Sequence, residues 1–289
     1  MASEGLLNEA SGLRERNLSG TLEKGSAQKP KSGSFFGVQW DNTASESGES
    51  AWPSFEKFPK HLREGPWSPL AYVFLTAFVG FVLTTAAWAF HDLWHIMSSG
   101  AVPDSQTRLL HGAGALYLSY VNVHTLRNVG VWPYMSYTCI SYVLLTLRYA
   151  ATALGLRAVT EALRFPVVAM ATVTTSVWWL ALFPIILSLT QAKERWAFLK
   201  MNCGFFLVNM HLLNLPLALF AWSDPRPLVF LDFWVAAVIA LCYLLFYLFV
   251  MDANGLHLYI ILSPRPWWCV VSYSGILLLY VQLFRVFGS

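Results

Sequence analysis

Most of the chain after residue 67 is a succession of long apolar runs without charge, separated by short segments that contain Lys, Arg, Asp or Glu. Each run is long enough to cross the hydrocarbon core of a bilayer as a helix, which takes roughly 20 residues. The pattern predicts an all-α, polytopic membrane domain over residues 68–289 with six transmembrane helices. The predicted spans are residues 68–91, 128–147, 165–192, 201–223, 233–251 and 266–284.

One further uncharged run, residues 109–126, has a different composition. Its sequence, LLHGAGALYLSYVNVHTL, contains two histidines, two glycines and Asn122. Polar side chains are costly in the hydrocarbon core, and glycine weakens a helix. We expect an interfacial or re-entrant helix here, with a seventh span as the alternative.

Residues 1–67 form a polar amino-terminal arm. The arm is rich in Ser, Gly, Glu and Lys and shows no sustained periodicity, which predicts a largely disordered segment. Its last part, residues 52–67, interleaves aromatic residues with Lys57, Lys60 and Arg63, as is typical of a chain that meets a membrane interface. No stretch of the arm resembles a signal peptide, so we expect the first span to insert the protein.

Composition and charge agree with a membrane protein. Hydrophobic residues make up 56% of the chain and charged residues only 12%, whereas soluble domains carry about 25% charged residues. The net charge of +3 is small and the basic residues are scattered, so we expect membrane lipids and no nucleic acid as partners. The four cysteines stand singly, without the spacing of a disulfide framework or of a zinc site.

The distribution of Lys and Arg predicts the orientation. In the six-span arrangement, the side that carries both termini holds more basic residues than the other side. The positive-inside rule then places both termini in the cytoplasm. We expect an endomembrane or the plasma membrane, with an organelle inner membrane as the alternative.

Polar residues inside the predicted spans are the candidates for chemistry, because they are costly in a bilayer. His211 lies near the middle of the fourth span, close to Asn209 and Asn214. A neutral imidazole in an apolar site can act as a general base near neutral pH. The alternative is a histidine that forms hydrogen bonds between packed helices.

The second span carries several hydroxyls, among them Ser136 and Thr138, and hydroxyls in apolar helices most often bond to a carbonyl one turn earlier. Counted from Asn128 and Lys200, which start their spans on the same face, Ser136 and His211 lie at depths of roughly 12 and 16 Å. This similarity allows a hydroxyl and a base to meet. Thr138, Asn209 or backbone N–H groups are candidates to stabilise an oxyanion.

His91 and His95 are spaced to share one helical face at the end of the first span. Two imidazoles at this spacing suit a metal ion, but His111 and His124 are isolated, and no second histidine box of a di-iron enzyme is present. A helix end at the interface is the commoner place for such histidines. We therefore treat His91 and His95 as weak metal candidates and expect no cofactor.

Four segments, in order, resemble the family of androgen-induced-gene and androgen-dependent TFPI-regulating proteins, which are multi-pass membrane proteins. Together the segments cover most of residues 128–260. They are Trp132 to Ser136 (WPYMS), Phe165 to Val168 (FPVV) with Trp178 and Trp179, Asn209 to His211 (NMH) with Pro216, and Asn254 to Tyr259 (NGLHLY).

The resemblance implies an intramembrane hydrolase that cleaves fatty acid esters of hydroxy fatty acids with a threonine nucleophile and a histidine. The threonine corresponds to Ser136 and the histidine to His211. The nucleophile is therefore Ser instead of Thr, and the first histidine of the family's HGMH is replaced by Val208. A serine hydroxyl supports the same attack. These changes also fit a member without catalytic activity, and the long arm has no counterpart in the family.

Two other classes of protein remain open. The aromatic-rich faces and the arm fit a non-catalytic subunit that holds partners and lipids in a larger membrane complex. A metal or haem redox protein that uses His91, His95 and other histidines is the third class.

Overall fold

A computed structural model describes residues 34–35, 38–39, 60–99, 103–189, 192–222 and 226–288 of the chain. The chain divides into two compact units, Met1–Gln39 and Trp40–Ser289. In the first unit, strands β1 (Ser34–Phe35) and β2 (Val38–Gln39) pair antiparallel. Most of the arm predicted to be disordered lies outside the described residues.

The second unit is helical. Three of its long segments contain a π-helical turn of five residues. Three short 3₁₀ turns lie outside the α-helices. The helices are α1 (Lys60–Arg63), α2 (Pro69–Ser99), α3 (Ser105–Val129), α4 (Tyr137–Leu154), α5 (Arg157–Ala162), α6 (Arg164–Val177), α7 (Phe183–Leu189), α8 (Ala192–Asn202), α9 (Phe205–Val208), α10 (Asn214–Phe220), α11 (Phe230–Phe246) and α12 (Cys269–Gly288). The π-helical turns are Trp178–Leu182, Asn209–Leu213 and Tyr247–Met251, and the 3₁₀ turns are Trp132–Met135, Asp252–Asn254 and Ile260–Leu262.

Among the described residues, four helical segments are long and apolar enough to cross a membrane. A fifth is possible if α8 and the α9–α10 segment, which meet at a bend of 56°, count as one span. These five segments correspond to five of the six predicted spans. The four unbroken segments are Pro69–Leu93, Arg157–Ser188, Phe230–Asn254 and Cys269–Gly288.

The predicted span 128–147 differs from the structure in its bounds. The 3₁₀ turn Trp132–Met135 interrupts it, and α4 then continues past Arg148 to Leu154. Arg148 is only 3% exposed, so this charge lies among packed helices, in the interior of α4 and not at its end. Residues 109–126 lie within the continuous helix α3, which packs along α4.

The long segments of the second unit alternate in direction. α3 and α4 form an antiparallel hairpin, since Arg108 bonds to the Ala153 carbonyl and Asn122 to Thr146. At one end of the bundle the start of α2 contacts both the end of the α11 segment and the start of α12. At the opposite end, Trp222 after α10 packs on Phe287 of α12. Helices α2, α4, α10 and α12 therefore run one way, and α3, α6 and α11 run the other.

Close packing between α3 and α4 depends on a glycine. A Cβ atom at Gly114 would overlap the ring of Tyr149, so the absence of a side chain lets the ring lie against α3. The Tyr149 hydroxyl in turn donates to the Leu217 carbonyl at 2.9 Å and ties the hairpin to α10. This contact holds α4 beside the segment that carries His211.

Two buried ion-pair clusters lie at the ends of the α11 segment. Near its start, Arg226 donates to Glu161 at 2.6 Å and to both carboxylate oxygens of Asp232 at 2.8 and 2.9 Å. At its other end, Asp252 accepts from Arg265 and from the Trp67 indole. Buried charges need such partners, so both clusters fix the loops beside α11.

Candidate functional site

Ser136 is the N-cap of α4, and the sequence before it explains this position. Pro133 occupies the first turn of the 3₁₀ segment, where its missing N–H has no helical partner, and Ser136 then adopts an extended conformation. Its Oγ accepts from the Cys139 N–H at 3.2 Å. Because Oγ accepts this bond, the hydroxyl proton is directed to another acceptor.

The start of α4 lies deep in the bundle. The hydroxyl of Tyr137, which follows Ser136, pairs with that of Tyr280 near the middle of α12. The Met135 carbonyl accepts from the Tyr243 hydroxyl of α11. The first N–H groups of an α-helix lack helical acceptors and carry partial positive charge. Ser136 therefore stands beside a helix N-terminus inside the bundle.

His211 lies in the π-helical turn Asn209–Leu213 and is 6% exposed. Its ring stacks on Trp178, with centroids 4.0 Å apart and planes inclined by 12°. Trp178 itself begins the π-helical turn Trp178–Leu182. No atom of the described residues meets the geometry of a hydrogen bond to His211 Nδ1. π-helical turns inside α-helices often occur at functional sites, and here two of them bring the rings together.

Ser136 and His211 line one small cavity, together with Thr138, Trp178 and Tyr259. No hydrogen bond joins the Ser136 and His211 side chains. The cavity has a volume of about 70 Å³, which is several times the requirement of one water molecule. The similar depth of Ser136 and His211 in a membrane stays a prediction from the sequence.

Tyr259 reaches the cavity from the loop that precedes α12. Burial raises the pKa of Tyr259, while hydrogen bonds with Thr138 and Ser136 act in the opposite direction. The Tyr259 carbonyl accepts from the Tyr247 hydroxyl at 2.9 Å, which fixes the loop against α11. The cavity therefore has two hydroxyls, those of Thr138 and Tyr259, beside Ser136.

Asn209, a predicted oxyanion donor, is occupied elsewhere. Its Oδ1 accepts from the hydroxyls of Tyr117 and Tyr142 at 2.8 and 3.2 Å, and its Nδ2 donates to the Phe205 carbonyl at 2.9 Å. Asn209 does not line the cavity with Ser136 and His211. These bonds join α3 and α4 to the His211 segment, so Asn209 positions the segment and offers no donor to the site.

The two weak metal candidates lie in α2. The His91 side chain is 78% exposed, and its Nδ1 is 3.6 Å from an oxygen of Asp92. Within the described residues, no three His, Cys, Asp or Glu side chains are grouped to hold a metal ion. His95 is part of the same helix, and its side chain lies outside the described part of the structure.

Segments that are far apart in the sequence supply the cavity. Ser136 comes directly after WPYM, and Trp178 lies further along the helical segment that has FPVV near its start. His211 is the last residue of NMH, and Tyr259 is the last residue of NGLHLY. Sequence reasoning had assigned no role to Trp178 or Tyr259. Their only signal was their place in segments that resemble the family, because neither residue is polar enough to stand out in an apolar chain.

No protein-family model matches the chain, and no similar protein was found among curated proteins or solved structures.

Proposed function

We propose that this protein is an intramembrane hydrolase of lipid esters, in which Ser136 is the nucleophile and His211 the general base. The observation that carries the proposal is the cavity lined by both side chains, within a bundle of which four or five described segments are long and apolar enough to cross a membrane. An ester is a suitable substrate because a hydroxyl and an imidazole suffice for acyl transfer.

The proposed reaction has two steps. Ser136 Oγ attacks the ester carbonyl while its proton passes to His211, and the tetrahedral intermediate then expels the alcohol, which takes the proton from His211. A water molecule, deprotonated by His211, next attacks the acyl-enzyme and releases the carboxylic acid and Ser136. Both steps need the imidazole to move within hydrogen-bond reach of Oγ. Catalytic hydrogen bonds are often long before the substrate binds.

The N-terminus of α4 is suited to the negative charge of the tetrahedral intermediate. The amide groups of Tyr137 and Thr138 are the first two of the helix, and such groups bind anions. Thr138 and Tyr259, which carry hydroxyls, also line the cavity. We assign stabilisation of the oxyanion to these groups and none to Asn209.

The test separates the chemical role of Ser136 from its structural role. Ser136→Ala removes both the nucleophile and the N-cap, whereas Ser136→Asn removes the nucleophile and keeps a good cap. Both variants should lose ester hydrolysis and labelling by a fluorophosphonate, and Ser136→Thr should retain part of each. Ser141→Ala is the matched control, because Ser141 is a buried hydroxyl of the same helix that lies outside the cavity. Hydrolysis by Ser136→Asn at the wild-type rate contradicts the proposal.

The proposal also includes the membrane topology. The alternating directions of the seven long segments favour seven crossings, with α3 as a span beside α4, over the six predicted from charge-free runs. Glycine, histidine and asparagine in α3 are tolerated in a bilayer when neighbouring helices partner them, as Thr146 partners Asn122. Seven crossings place the termini on opposite faces, whereas six place both in the cytoplasm.

A further inference from the structure

A second, larger cavity adjoins the one that contains Ser136 and His211. The two cavities share Thr138, Trp178, Leu182 and Tyr259 as lining residues. The larger one extends between α2, α6, α11 and α12 and has a volume of about 90 Å³. The residues that it shares with the smaller cavity form a common wall.

The lining of the larger cavity is apolar. Phe74 and Phe78 of α2, Val173 of α6 and Ile276 of α12 contribute hydrocarbon side chains, and no charged side chain among the described residues lines it. An occupant with a net charge would lose its hydration without gaining a partner here. The lining therefore favours a hydrocarbon occupant.

Four of the five tyrosines of this lining have hydroxyls that bond to other protein groups. The Tyr273 hydroxyl donates to the Leu262 carbonyl at 2.9 Å, and that of Tyr243 donates to the Met135 carbonyl at 3.2 Å. The hydroxyls of Tyr137 and Tyr280 pair with each other. Because protein groups already satisfy these four hydroxyls, an acyl chain can lie against the rings without depriving the hydroxyls of partners.

We propose that the larger cavity binds the acyl chain of the ester whose carbonyl lies beside Ser136. This inference rests on the proposed hydrolase function and names the part of the substrate that determines specificity. The acyl chain extends from the Ser136 cavity into the larger cavity, along the shared lining residues Thr138, Trp178, Leu182 and Tyr259. Long, unbranched acyl esters are the preferred class, because each methylene that enters the cavity adds to transition-state binding.

The test fills the larger cavity without changing the smaller one. Ala240 lines only the larger cavity, and Ala240→Phe should occupy the space that the acyl chain needs. We expect kcat/KM for a 16-carbon acyl ester of a fluorogenic alcohol to fall by about ten-fold or more, while that for the 4-carbon ester changes little. Ala87→Phe, at an exposed position of α2, is the matched control and should keep the wild-type preference.

A second measurement does not need hydrolysis. A palmitate analogue with a diazirine near its end, photolysed with purified Ser136→Ala protein, should modify peptides of α2 or α12 that line the larger cavity. Ala240→Phe in the same background should reduce this modification, and Ala87→Phe should not. Equal chain-length preferences in wild type and Ala240→Phe, or photolabelling that Ala240→Phe leaves unchanged, overturn the inference. Failure of the hydrolase proposal gives a different result, because the fluorophosphonate would then not label the wild-type protein.

Discussion

Replacing Arg226 with methionine would test whether the ion-pair cluster beside α11 holds the bundle together. Three hydrogen bonds of 2.6–2.9 Å join its guanidinium to Glu161 and Asp232. The Arg226, Glu161 and Asp232 side chains are only 14%, 7% and 1% exposed. Arg226→Met would therefore leave two carboxylates buried close to each other without their cation. Removing one partner of a buried ion pair costs about 3–5 kcal/mol, so we expect a loss of that size.

The assay is reversible unfolding in mixed micelles with increasing SDS, followed by tryptophan fluorescence. Arg285→Met is the control, because Arg285 is an exposed arginine in the last turn of α12 and should change the free energy of unfolding by less than about 0.5 kcal/mol. Adding Glu161→Gln and Asp232→Asn to Arg226→Met removes the unpaired charges and should restore most of the loss. If Arg226→Met unfolds like the wild type, the cluster contributes nothing and the reasoning is refuted.

Three further predictions concern packing, the second cluster and topology. Gly114→Leu should destabilise the protein by about 1–3 kcal/mol through overlap with Tyr149, whereas Gly80→Ala, which meets open space, should not; unfolding in SDS measures both. Asp252→Asn should lower the free energy of unfolding by about 3 kcal/mol in the same assay, since Arg265 loses its buried counter-charge. Tags at the two termini should react with a membrane-impermeant reagent from opposite faces of sealed vesicles, and reaction from the same face would support six crossings.

The charge-free runs predicted the positions of several long apolar helices well. The predicted runs 68–91, 233–251 and 266–284 all fall within or close to helices of matching character. The predicted bounds differ from those of the helices where arginines are buried in the protein. Arg148 and Arg164 are 3% and 2% exposed, so they lie inside the helical bundle, and the helical segments that contain them continue past them.

The site was predictable only in part. Ser136 and His211 stood out as polar groups at similar depth in apolar segments, and they do line one cavity. The N-cap position of Ser136 and the stacking of His211 on Trp178 depend on a 3₁₀ turn and on two π-helical turns. Such turns change the direction of side chains without an evident periodicity, so helical spacing alone could not predict these contacts.

The central claim is that Ser136 becomes acylated with the help of His211. Its most direct measurement is mass spectrometry of peptides from wild-type protein after reaction with a fluorophosphonate in mild detergent. The account predicts an adduct on Ser136, at least about 100-fold slower to form in His211→Gln, which keeps polarity but provides no base. An adduct on another residue, no adduct in folded wild-type protein, or an unchanged rate in His211→Gln would contradict the claim.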